Sequence, residues 1–167
     1  MKLISNFLSD EQLKHTKESL LNVQFPWYYN KIIQEEFYNQ DDIDHPDWFM
    51  FSHIWYHDNT ITSDSFEWLI KPIIDKIDMT ELLRVKGNFY NKTCEHVIHG
   101  YHTDYAYDHM VALLNLNDNN GYTEFETGEK IVSKENELII FDGNIRHRSV
   151  TQTDTNSRLN ININFLK

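Results

Sequence analysis

Residues 158–166 read RLNININFL, and residues 82–90 read LLRVKGNFY. In the first stretch Leu159, Ile161, Ile163 and Phe165 alternate with Arg158, Asn160, Asn162 and Asn164. In the second, Leu83, Val85 and Phe89 alternate with Arg84, Lys86, Asn88 and Tyr90. Side chains of an extended chain point to opposite faces in turn, so each stretch predicts a strand with one apolar and one polar face. The apolar face needs cover. The polar face admits two readings: it meets solvent, as on many antiparallel sheets, or it lines a ligand cavity inside a small barrel.

Further strand candidates lie between these two, at about 97–105, 109–117, 122–126, 129–133, 137–142 and 146–151, with turn signals at Asp118 to Gly121 and at Asp142-Gly143-Asn144. About eight short strands at this spacing predict a closed antiparallel sandwich, a jelly roll or double-stranded β-helix. The first half reads differently. Ser9 and Gln12 form a capping-box pattern ahead of Leu13, Leu20 and Leu21. Asp64 to Glu67 begins a second helix, whose apolar positions Phe66, Leu69, Ile70, Ile73, Ile74 and Ile77 recur at helical spacing with a break at Pro72. The expected organisation is one domain over residues 1–167, with 1–81 mostly helical and 82–167 forming a jelly-roll core that carries the site. The aromatic stretch HPDWFMFSHIWYHDN, residues 45–59, fits neither pattern.

Composition narrows the function classes. With 40% hydrophobic and 14% aromatic residues, the chain can bury a core. No apolar run is long enough to span a membrane, and the N-terminus lacks the apolar stretch of a signal peptide. Cys94 is the only cysteine, so no intrachain disulfide forms, which fits a reducing cytoplasm. The net charge of −11 with scattered Lys and Arg argues against a nucleic-acid partner. Cys94 has no base beside it to make it a nucleophile.

The chain holds two His-x-Asp triplets, His45-Pro46-Asp47 and His102-Thr103-Asp104. The first has a central proline beside an acidic run, so a solvated turn is expected there. The second lies in a strand candidate, where residues two apart share a face and both side chains reach one cation. His99 and His109 have the wrong parity to join them. His147 follows the strand ELIIFD and a turn, which brings it back as a third ligand. Two histidines and one aspartate leave coordination positions open, the arrangement of non-haem Fe(II) oxygenases, whereas a structural zinc calls for four closed ligands. Arg158 opens the final alternating strand, and its planar fork suits a carboxylate.

The ordered set His102-x-Asp104, His147, Arg158 resembles the iron(II)/2-oxoglutarate-dependent oxygenase superfamily, in particular its small viral and bacterial prolyl-4-hydroxylase-like members. ISNFLSDEQ at 4–12 resembles the usual opening of those members. LLNLNDNNGYTEF at 113–125 resembles their strand, turn and glycine segment, with Tyr122 where a second glycine is usual. NELIIFDGNIRHRSV at 136–150 resembles the strand that ends in the distal histidine. The resemblance implies a hydroxylase acting on an unactivated C–H, with release of succinate and CO2. Fe(II) would be held by His102, Asp104 and His147, and the distal carboxylate of 2-oxoglutarate by Arg158. Asn88-Phe89-Tyr90 resembles an element of the nucleic-acid-demethylating branch in which Asn and Tyr touch the cosubstrate. That branch carries a second arginine in the final strand, where Ile163 and Asn164 stand here. Halogenating members lack the metal carboxylate, so Asp104 favours oxygenation. The implied substrate is a prolyl or other peptidyl or amino-acid group or a small molecule, and the implied setting is a cytoplasm, the host's if the protein is viral. Trp55, Tyr56, His57, Tyr105 and Tyr107 are candidates for the substrate wall. The competing class is a non-catalytic metal-binding jelly-roll module, viral or accessory.

Overall fold

A computed structural model of the chain describes residues 1–31 and 49–167. In chain order the elements are β1 (Lys2–Ser5), α1 (Asp10–Leu20), β2 (Tyr28–Lys31), β3 (Phe49–His57), β4 (Thr60–Ile61), a π-helical turn (Phe66–Ile70), α2 (Lys71–Ile74), β5 (Glu81–Asn91), β6 (Met110–Asn115), β7 (Tyr122–Phe125), β8 (Lys130–Val132), β9 (Glu137–Asp142), β10 (His147–Val150) and β11 (Ser157–Leu166). The protein is mainly β. The larger sheet runs β1-β9-β6-β11-β5-β3-β2 with β4 beside β3, and the smaller runs β10-β7-β8.

The two alternating stretches are neighbours at the centre of the larger sheet. β5 and β11 pair antiparallel, with Arg158 opposite Tyr90, Asn160 opposite Asn88, Asn162 opposite Lys86 and Asn164 opposite Arg84. One face of this pair is therefore polar from end to end. The other carries Val85, Leu159, Ile161, Ile163 and Phe165 into a core built with Leu20 of α1 and with Phe66, Leu69, Ile70 and Ile73. Burying each such side chain stabilises the fold by about 1.5–3 kcal/mol, so the helical layer is what the apolar face requires. A register shift after Asn164 sets Phe165 opposite Leu82, and Leu82 rather than Leu83 joins that core. A second core of Val111, Leu113, Ile139 and Phe141 from the large sheet with Phe125 and Ile131 from the small one holds the two sheets together.

The capping box forms as read, Gln12 N–H donating to Ser9 Oγ at 3.2 Å. The expectation that 1–81 is mostly helical needs correction, because among its described residues strands are as prominent as helices. Among the described residues there, the helices are α1 and the turn pair at 66–74, and the strands β1, β2, β3 and β4 join the large sheet. The stretch at 49–57 is β3, inserted between β2 and β5. Apolar or aromatic residues on both its faces hide its period of two. The second helix is short: Ser65 makes no capping bond, since its hydroxyl accepts from Trp55 Nε1 at 2.8 Å. Pro72 falls at the start of α2, where its missing N–H costs no helical bond. The triplet His45-Pro46-Asp47 lies outside the described residues. Among those described, no helix is long and apolar enough to cross a membrane.

Gly87 sits mid-strand in β5 because the fully buried Trp55 ring leans on it. A Cβ there would lie 2.8 Å from Trp55 Cη2 and 3.1 Å from Trp27 Cη2. Both rings are fixed, Trp55 by Ser65 and Trp27 by the Leu20 carbonyl. Gly87→Ala should therefore destabilise by about 1–3 kcal/mol through overpacking, against the usual gain from removing a strand glycine. The urea midpoint measures it, and an unchanged or raised midpoint contradicts the close fit.

Candidate metal centre and its cavity

His102 and His147 meet through their backbones. Each N–H donates to the other's carbonyl at 2.9 Å, an isolated antiparallel bridge that sets the two imidazole centroids 4.7 Å apart. Segment 97–105 is not a strand: it touches β10 through this bridge and one more, Ile98 with Val150. Strand parity is thus not what unites His102 with Asp104. Asp104 is drawn in by its own partners instead. Arg84 Nη2 donates to its Oδ1 at 2.6 Å, and Asn162 and Asn164 donate to its Oδ2 at 3.2 and 2.8 Å. These donors all stand on the polar face of β5 and β11. Ligand atoms of His102, Asp104 and His147 then fall within 4.8 Å of one another.

The imidazoles are oriented by the main chain. Nδ1 of His147 lies 3.1 Å from the Ile145 carbonyl, and Nδ1 of His102 3.4 Å from that of Gly100. With Nδ1 as the donor, Nε2 keeps its lone pair for the centre of the cluster. Burial, with His147 beside it, lowers the His102 pKa to about 4, and burial likewise lowers that of His147. Burial alone would raise the Asp104 carboxyl, but the charge of Arg84 and the hydrogen bond from Asn164 outweigh it and hold the carboxyl well below the usual range. At neutral pH the cluster offers two neutral nitrogens and one anion.

The cluster opens on a cavity of about 610 Å³ between the two sheets. Asn88 and Tyr90 line it, as does Asn160. Asn88 Nδ2 donates to Asn160 Oδ1 at 2.8 Å, and the Tyr90 hydroxyl lies 3.0 Å from that of Ser149. The side-chain oxygens of Asn88 and Asn162 and Nε2 of His99 are buried without a partner. Arg158 lies one layer behind. Its Nε, Nη1 and Nη2 donate to Ser133 Oγ, the Val150 carbonyl and Thr123 Oγ1 at 2.8, 3.1 and 3.2 Å, and its guanidinium lies 5.4 Å from the Tyr90 ring centre. Thr123 and Tyr90 line the cavity. Among the described residues no carboxylate pairs with this fully buried guanidinium.

Two other histidines stand close without joining the cluster. His99 stacks on Tyr90 inside the cavity, and burial lowers its pKa to about 3. The His109 ring covers Gly143, where a Cβ would fall 2.2 Å from Nε2, so this glycine serves the ring above it. Tyr105 and Tyr101 line the cavity, whereas Tyr107 does not. Trp55 is core, Tyr56 stacks on Phe66, and His57 sits beside Asp58 at the surface, so none of the three forms the wall. Arg84, Lys86, Asn162, Asn164, Thr123 and Ser149 were not singled out from sequence. Four of them share the alternating polar face already visible in residues 82–90 and 158–166.

No family model matches the chain, and no curated protein matches it by sequence. Solved structures do. A 2OG-Fe(II) oxygenase-family oxidoreductase from Burkholderia pseudomallei superposes with a TM-score of 0.67 at 10% identity, over 98% of this chain and 84% of that one. A prolyl hydroxylase from Trichoplax adhaerens, in complex with a hypoxia inducible factor peptide fragment, gives 0.66 at 14% identity, over 99% and 82%. HygX from Streptomyces hygroscopicus, with nickel, 2-oxoglutarate and hygromycin B bound, gives 0.57 at 12% identity, over 98% and 81%. At these identities the shared property is the fold.

The buried histidines predict an acid-labile fold. An unfolded histidine titrates near 6.5, while His102 and His99 stay neutral in the fold down to about 4 and 3. Between those values the unfolded chain binds more protons, so stability falls as pH falls from 6.5. The urea midpoint of metal-free protein should drop between about pH 7 and 5. It should drop less in His99→Gln, and an equal drop in the two would remove His99 from the acid response.

Proposed function

We propose that the protein is an Fe(II)- and 2-oxoglutarate-dependent dioxygenase, a hydroxylase of an unactivated C–H in a peptidyl, amino-acid or other small substrate. The observation that carries this reading is the His102–Asp104–His147 cluster on the lining of a polar cavity that is backed by a buried guanidinium with no carboxylate partner among the described residues. The residues fit the cofactors. Two imidazoles and a carboxylate on one side of a metal are a donor set for non-haem iron. The unpartnered oxygens of Asn88 and Asn162 mark a wall that expects a polar guest. The fold shared with an enzyme that binds nickel and 2-oxoglutarate agrees with it.

On this reading His102, Asp104 and His147 hold the metal. Arg158 supplies the charge for the distal carboxylate of 2-oxoglutarate, with Thr123 and Tyr90 presenting hydroxyls in front of it. Bound together, Fe(II) and 2-oxoglutarate supply the oxidising chemistry, with O2 as second cosubstrate and succinate and CO2 released. The chain's own work is positional. Arg84, Asn162 and Asn164 hold Asp104 ionised and in place, and the carbonyls of Gly100 and Ile145 hold each imidazole in the ligating tautomer. The sheets exclude water from the inner end, where a dianion is best held by a fixed cation.

Titrating 2-oxoglutarate into the Fe(II)-loaded, oxygen-free protein tests this through the charge-transfer absorbance that chelation produces. Arg158→Ala should weaken binding by roughly two decades, the cost of leaving a buried carboxylate unpaired. Arg158→Lys should lie between, keeping charge but losing the fork. Metal binding should survive in both. Equal affinity in all three forms removes Arg158 from the role. No binding by the wild type points instead to a non-catalytic jelly-roll module. Succinate release against a panel of peptides and amino acids then identifies the substrate.

A further inference from the structure

The cavity is basic in an acidic protein. Its lining includes Lys31, Arg84, Lys86 and Arg146 against one carboxylate, Asp104, on a chain of net charge −11. Arg84 is paired with Asp104, Arg146 with Glu126 at 3.0 Å, and Lys31 too has an interaction of its own. Lys86 differs. Among the described residues no carboxylate lies within ion-pair distance of its ammonium. It stands mid-strand on the polar face of β5, between Arg84 and Asn88, opposite Asn162 on one side and Ile54 on the other. Burial and the neighbouring Arg84 charge lower its pKa to about 8 against the pull of the Asp104 charge, so it is still mostly an ammonium at neutral pH. A half-buried cation with no ion-pair contact is costly unless a partner arrives.

Its position says what the partner is. Asn162, across the β5–β11 ladder from Lys86, donates to Asp104. Neighbouring strands lie about 5 Å apart, so Lys86 is one strand spacing from the residues that hold the cluster. Lys86 stands toward the cluster end of the ladder, four residues along β5 from Tyr90, the partner of Arg158. We propose that the substrate carries a carboxylate or phosphate held by the Lys86 ammonium. The proposal rests on the oxygenase reading of the cavity. It narrows the substrate to small anionic molecules, or to a peptide whose acidic group lies close to the oxidised carbon, because Lys86 is the ladder neighbour of Asn162, which holds Asp104.

The test is a labelling footprint of Lys86. Oxygen-free protein loaded with Mn(II) and saturated with 2-oxoglutarate is acetylated briefly with acetic anhydride, and each lysine is quantified by mass spectrometry. Inorganic phosphate, N-acetylglycine or the neutral N-acetylglycinamide is added at millimolar concentration. The expected result is that at least one of the two anions slows acetylation of Lys86 several-fold relative to the other lysines and that the amide does not. Which anion protects better separates a phosphate from a carboxylate substrate. In parallel, Lys86→Gln should bind 2-oxoglutarate as the wild type does. Lys86 labelled equally with and without both anions overturns the proposal. So does a loss of about tenfold or more in 2-oxoglutarate affinity in Lys86→Gln, which would make Lys86 a cosubstrate contact. If the wild type binds no 2-oxoglutarate, the oxygenase reading fails. The same footprint on protein without metal and cosubstrate then decides the anion site separately.

Discussion

The antiparallel pairing of β5 with β11 is the constraint on which the rest is arranged. Both strands alternate strictly, and the register sets polar opposite polar and apolar opposite apolar along the ladder. A slip of one residue would drive Arg158, Asn160, Asn162 and Asn164 into the helical core and turn Ile161 and Ile163 toward the cavity. Every function assigned to the polar face depends on that registry. The clasp on Asp104, Lys86, the Asn88–Asn160 bond and Arg158 follow one another along one ladder. The helices matter to the site only indirectly, by burying the reverse side.

Asp104 is where an irregular segment is tied to this frame. Segment 99–109 has almost no ladder bonds of its own, and the carboxylate at its middle accepts from Arg84, Asn162 and Asn164. The anion thus has two duties, as a candidate ligand and as the anchor of its own loop. The arginine that keeps it ionised also competes with any cation for its charge. Such a centre trades some metal affinity for a fixed ligand position, a sensible exchange where the metal must keep open positions for other partners.

Much of this was legible in the sequence where a single physical rule governs. Period-two alternation gave β5 and β11 and the cavity face of Asn88 and Tyr90. The capping pair Ser9 and Gln12 gave the start of α1. Most short strands between residues 109 and 151 follow their turn residues. The rule failed where both faces of an element are apolar: β3, flanked by strands and carrying Phe49, Met50, Phe51, Ile54 and Trp55 itself, shows no alternation to read. It failed again at His102 and Asp104, whose proximity comes from one backbone bridge and a long-range clasp rather than from spacing along a strand. Arg84 and Lys86 stood in plain view on the polar face. Their separate roles were hidden, because only the fold shows which of two neighbouring cations has a carboxylate beside it.

The backbone bridge between His102 and His147 has a thermodynamic side. Ligands drawn from distant loops usually lose torsional freedom when they gather around an ion, at about 0.5–1.5 kcal/mol per side chain. Here the spacing of the two rings is inherited from a pair of peptide groups bonded to each other, and their tilt from carbonyls two residues before each. That ordering is completed when the sheets close. Little disorder is left for the ion to remove, so its capture should carry a small entropic penalty and leave the shape of the chain nearly unchanged.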